Sequence, residues 1–78
     1  MNQKKLSLND LPLNICGKVY DINSNCNIYR RLLDLGIVKN TKIIPVLKSP
    51  SGDPRAYEVR GTLIALRYED AENIKVII

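Results

Sequence analysis

The sequence predicts a mainly β chain: a small antiparallel barrel carrying one short α-helix between its first two strands. Three observations point there. Turn signals built from Gly, Pro, Asn and Ser recur about every ten residues, the spacing of short strands in small barrels and sandwiches. The segments between them are rich in β-branched and aromatic residues, and only the stretch around Ile28–Leu35 has a helical period. The chain is also only 78 residues long, and closure into a barrel removes sheet edges that so small a sheet tolerates poorly.

In chain order, residues 1–5 are polar and are expected to fray. Leu6, Leu8, Leu11 and Leu13 bring apolar side chains in, while Pro12 forbids a regular helix, so Ser7–Leu13 reads as a loop or single turn docked under the barrel. Lys18–Ile22 is the first expected strand. Its apolar residues Val19, Tyr20 and Ile22 do not alternate, which a bulge near Tyr20 explains. Asn23-Ser24-Asn25 is a turn and a supply of helix N-caps. From Asn27, Ile28, Leu32 and Leu35 fall on one helical face, Leu33 widens it, and Gly36 stops the helix in the left-handed conformation. Strands are then expected over Lys42–Lys48, with Pro45 at an edge or bulge, over Ala56–Arg60 and over Thr62–Arg67. Ser49–Pro54 is the plainest loop, Glu69–Glu72 suits one helical turn, and Asn73–Ile78 closes the chain with Ile74, Val76 and Ile78 on one face.

Composition narrows the chemistry. There is no histidine, so no Ser-His-Asp or Cys-His catalysis and no histidine-ligated zinc. Cys16 and Cys26 cannot by themselves supply a four-cysteine site. The spacing leaves a disulfide between them open, and reduced thiols of a cytosolic protein are the expected state. Apolar runs are too short to span a membrane or to form a secretory leader. Glu69, Asp70 and Glu72 lack the paired helical array of di-iron sites, so no metal site and no cofactor are expected, and the chain is not expected to be an enzyme. The formal charge of +4 permits nucleic-acid or membrane-surface contact, but no more than two basic residues adjoin anywhere, and Tyr20, Tyr29, Tyr57 and Tyr68 are spread over four elements. A solvated surface is the expected reading, with no nucleic acid as partner.

Three segments stand in order along the chain: Arg30-Arg31-Leu32-Leu33-Asp34-Leu35-Gly36-Ile37, the loop Gly52-Asp53-Pro54, and Gly61-Thr62-Leu63-Ile64-Ala65-Leu66-Arg67 followed by an acidic turn and Ile74-x-Val76. Taken together they resemble the FeoA family, small cytosolic proteins that accompany the bacterial ferrous-iron transporter FeoB. Their order and spacing match from about Leu8 to Ile78. One departure is Lys39-Asn40 where the family commonly has Pro-Gly. Asparagine tolerates the left-handed conformation, so the turn is expected to survive.

The resemblance implies an SH3-like form of the barrel and a role in ferrous-iron uptake. It implies contact with the transporter's cytosolic GTP-binding domain, with the membrane reached only through that partner. By analogy the contact uses Arg30, Arg31, Leu33 and Ile37 at the helix end, with Gly52, Asp53 and Pro54 as a secondary surface. The same domain type occurs at the C-terminus of iron-dependent repressors. With no helix-turn-helix region ahead of it, a free-standing module is expected here. Three other readings stand beside it: a small basic RNA-binding barrel, a free-standing copy of the repressors' SH3-like domain, and a weak homo-oligomer.

Overall fold

Where the sequence alternates, strands form. The computed structural model describes residues 3–78. Its strands are β1 (Lys5–Ser7), β2 (Gly17–Ile22), β3 (Lys42–Lys48), β4 (Arg55–Val59), β5 (Thr62–Leu66) and β6 (Ile74–Ile77). Two short helices, α1 (Tyr29–Asp34) and α2 (Tyr68–Ala71), and a 3-10 turn over Leu8–Asp10 complete the elements. The strands form one antiparallel sheet in the order β1-β6-β2-β3-β4-β5.

The sheet bends at β3, whose first residues pair with β2 (Gly17 with Ile43) and whose remainder pairs with β4 (Ile44 with Glu58 through Lys48 with Arg55). Pro45 marks the bend. It is fully buried, and the ladder register slips between it and Leu47, which is how a residue without an N–H enters an interior strand. The second expected irregularity is present too, a register slip between Val19 and Asp21 that leaves Tyr20 out of step. Arg60 and Gly61 take φ of 53° and 81° and form a two-residue turn between β4 and β5, of the mirror-image kind that matches strand twist. The concave side holds the core, which includes Leu8, Leu11, Val19, Leu32, Ile37, Ile43, Tyr57, Ile74 and Val76.

Four expectations need correction. A strand precedes the anticipated first one: Leu6 pairs with Val76, and Lys4 and Ile78 exchange backbone hydrogen bonds of 3.1 and 2.9 Å, so Lys4 and Lys5 are paired rather than frayed. Residues 1–2 lie outside the described residues. The helix therefore follows the second strand, not the first. It is also shorter than the roughly ten residues its periodicity suggests. Asn23 does not cap it. That side chain instead accepts the N–H of Asn25 at 3.0 Å and holds the preceding turn, and the N-cap is Ile28.

The end of α1 sets the path of the chain beyond it. Gly36 has φ of 90°, its N–H reaches Leu33 O at 3.0 Å, and the N–H of Ile37 reaches Leu32 O at 2.9 Å. This paired closure folds the residue after the glycine back onto the helix's last turn, so Ile37 and Leu32 are fully buried together. Asn40, at φ of 73°, makes the expected left-handed turn, and its N–H donates to Val19 O at 2.7 Å. Thr41 is buried beneath that turn. Its hydroxyl donates to Gly36 O and accepts from the N–H of Val38, both at 3.3 Å.

Candidate functional site

Leu33 and Leu35 stand out on the helix because neither is covered. They are 36% and 38% exposed, whereas Leu32 beside them is fully buried. The i+7 spacing predicts Leu35 in the core. The helix has ended by then, and Ile37 fills that space instead. The expectation that Ile37 touches a partner is accordingly wrong: a side chain with no exposed surface serves packing.

Beside α1 runs a cleft of about 110 Å³, lined by Ile28, Arg31, Leu35, Ala65, Arg67 and Asp70 among others. Its far wall is β5, whose Leu63 and Ala65 are exposed. The turn at Arg60-Gly61 makes Val59–Thr62 a hydrogen-bonded pair, so by alternation the main-chain groups of Leu63 and Ala65 point away from β4. The cleft thus brings Leu35 and Ala65 together with Arg31 and Arg67, and Arg30, Leu33 and Leu63 are exposed on the two elements that flank it. The sequence marks Arg30, Arg31 and Leu33. It does not mark Leu35, Ala65 or Arg67, because only the chain's tertiary path brings β5 against α1.

Gly52, Asp53 and Pro54 lie elsewhere, on the β3–β4 loop. Gly52 takes φ of 91°. The Asp53 carboxylate accepts the N–H of Tyr68 at 2.9 Å, at the start of α2, where a negative charge satisfies an otherwise free helix N–H. Asp53 is therefore engaged within the fold and does not stand free at a loop tip. This loop borders a separate cleft of about 160 Å³ with Asn9, Lys48, Arg55, Tyr57, Leu66 and Tyr68.

Arg55 ties that region together. Its guanidinium donates to Asn9 O at 2.9 Å and to Leu11 O at 2.6 Å, fastening the N-terminal turn to β4, and stacks 5.3 Å above the Tyr57 ring. Tyr57 is fully buried, and its hydroxyl has no hydrogen-bond partner in the protein. Burial raises its pKa above the usual 10.0, with the positive charge of Arg55 opposing the rise and Asp53 adding to it. Stability from this group is present in full below pH 10 and falls as pH rises above it, because the unfolded chain ionises first. Tyr57→Phe is expected to raise stability by about 1 kcal/mol at neutral pH, since it removes a buried hydroxyl without a partner. It should also make the decline between about pH 9 and 11 shallower in urea unfolding. A variant weaker than wild type at neutral pH would refute both expectations.

Two absences concern the described residues alone. No group of three or more His, Cys, Asp or Glu side chains is placed to hold a metal ion, and no helix is long and apolar enough to cross a membrane. Cys16 and Cys26 are free thiols, one exposed and the other partly buried against the core.

Comparison with known proteins supplies what geometry alone does not. The model of the FeoA domain family matches residues 6–78. A FeoA protein from Chlorobium tepidum is 32% identical with a TM-score of 0.86, over 94% of this chain and 70% of its own. The FeoA of Stenotrophomonas maltophilia, solved with zinc, is 35% identical with a TM-score of 0.81, over 91% of this chain and 88% of its own. That protein is described as a procaryotic SH3 domain protein and is put forward as a ferrous-iron transport activating factor. A manganese-dependent transcriptional repressor shares the fold alone, at 14% identity and a TM-score of 0.85 over 99% of this chain and 43% of its own. No curated protein matches the sequence.

Proposed function

The chain belongs to the FeoA domain family, and on that premise we propose that it is a non-catalytic accessory module of bacterial ferrous-iron uptake. It works in the cytoplasm through contact with the GTP-binding domain of a FeoB-type transporter. The observation that carries this reading is the uncovered pair Leu33 and Leu35, set in an arginine-bearing surface at the end of a helix. Apolar anchors ringed by Arg are what a protein-binding patch needs, the anchors for affinity and the guanidiniums for carboxylates on the partner.

Arg30, Arg31 and Leu33 are the contact residues, Leu35 takes the place of Ile37, and the β3–β4 loop adds secondary contacts through Gly52 and Pro54. Calorimetric titration of the chain into the isolated GTP-binding domain of its transporter tests the proposal. A saturable heat at one-to-one stoichiometry is expected. No heat together with no co-elution at micromolar concentrations would overturn it.

A further inference from the structure

We infer that the outer face of the β1-β6-β2-β3 sheet is a docking surface for an anionic lipid bilayer. The inference goes beyond the partner reading above and uses different residues. Strand register places Lys5 opposite Ile77, Ile77 opposite Lys18, and Lys18 opposite Lys42, and residues directly opposite share a sheet face. Lys5, Ile77, Lys18 and Lys42 therefore form one row across four strands, with all three lysines exposed. An open concavity of about 770 Å³ lies over Lys5, Ile77 and Lys18 of this row, lined also by Tyr20 and Ile78, with Lys42 beyond its lining.

Two features separate this row from an ordinary solvated face. Like charges directly opposite each other destabilise an antiparallel pair, yet Lys18 faces Lys42. On the same face Asp21 opposes Lys75, so the pairing there has the stabilising sign. Asp21 and Lys75 are both exposed and offset each other, so Lys5, Lys18 and Lys42 carry the net charge of this face. The second feature is the kind of cation. Every basic residue of this row is lysine, while the five arginines lie on α1, β4, the β4–β5 turn and the approach to α2. Lysine is a strongly hydrated point charge without the guanidinium's fixed fork, so it suits a diffuse anionic surface better than one defined carboxylate.

The apolar centre fits the same occupant. Ile78 is 41% exposed, and the Tyr20 ring carries the Lys5 ammonium at 5.3 Å, so an aliphatic group and an amphipathic ring line the same concavity as Lys5 and Lys18. Lysines that remain at headgroup level while such side chains enter the interface are the pattern of a peripheral contact. Each lysine near an anionic surface multiplies the partition coefficient by about five.

Sedimentation of the full chain with phosphatidylcholine vesicles, with and without phosphatidylglycerol, tests the inference. Binding to the anionic vesicles only, weakening as salt is raised, is the expected result. Lys18→Gln with Lys42→Gln should lower it roughly 25-fold, and Lys48→Gln, on the cleft beside Tyr57, should leave it unchanged. Lys42→Glu provides a signature of opposite signs: vesicle binding falls while the melting temperature rises by about 2–4 °C, because the facing like charges are removed. No sedimentation, equal sedimentation with neutral vesicles, displacement by millimolar inorganic phosphate, or tighter binding to a short single-stranded RNA would each overturn the inference.

Discussion

Ile37→Ala is expected to lower stability by about 2–5 kcal/mol. A domain of this length has roughly 4–12 kcal/mol in total, so the variant stands near the edge of folding. The size of the effect comes from how α1 ends. Ile37 is the first residue after the left-handed Gly36, and its N–H closes on Leu32 O at 2.9 Å. That bond fixes the direction in which the side chain enters the core, where Leu32 is buried beside it. Neighbours held by a backbone closure on one side and by strands on the other collapse poorly into the space the lost side chain leaves, so cavity and transfer terms add. In a thermal melt the midpoint should fall by about 8 °C or more. Affinity for the partner, measured at a temperature where the variant is folded, should remain that of the wild type. Wild-type stability with lost binding would return Ile37 to the interface.

That residue also shows where sequence reasoning stops. Extending the period through Leu35 assumes that the helix continues, and Gly36, already visible as a stop signal, contradicts the assumption. Given the stop, the apolar residue after the glycine is the one that packs back on the helix. Ile37 was thus legible as core from the same motif that suggested an interface. Other features could be read locally for good reason: the break in alternation at Tyr20, the missing N–H of Pro45 and the left-handed tolerance of Asn40 are each properties of one or two residues. The first strand was hidden because Lys4-Lys5 looks like a solvated end. Its strand character comes from β6, at the opposite end of the chain. The cleft wall at Ala65 and Arg67, and the lysine row across four strands, are likewise properties of pairing, invisible until the register is known.

The largest functional effect is expected from charging the uncovered helix end. Leu33→Glu and Leu35→Glu should each weaken binding to the transporter's GTP-binding domain by at least roughly 30-fold, about 2 kcal/mol or more. Each variant loses an apolar anchor and places a carboxylate in an interface that would otherwise exclude water, where burying a charge is costly. Arg31 is close enough to line the same cleft as Leu35, so Leu35→Glu gains an internal ion pair and should lose less than Leu33→Glu. Stability should move little in either case, by roughly 0.5 kcal/mol, because both side chains are more than one-third exposed. Arg31→Gln probes a different quantity. A rim charge acts mainly on encounter, so the association rate and its salt dependence should fall while the dissociation rate holds. If both glutamate variants bind as the wild type does with the fold intact, the helix end is not the contact surface. The partner must then meet this domain on a face that neither helix nor cleft supplies.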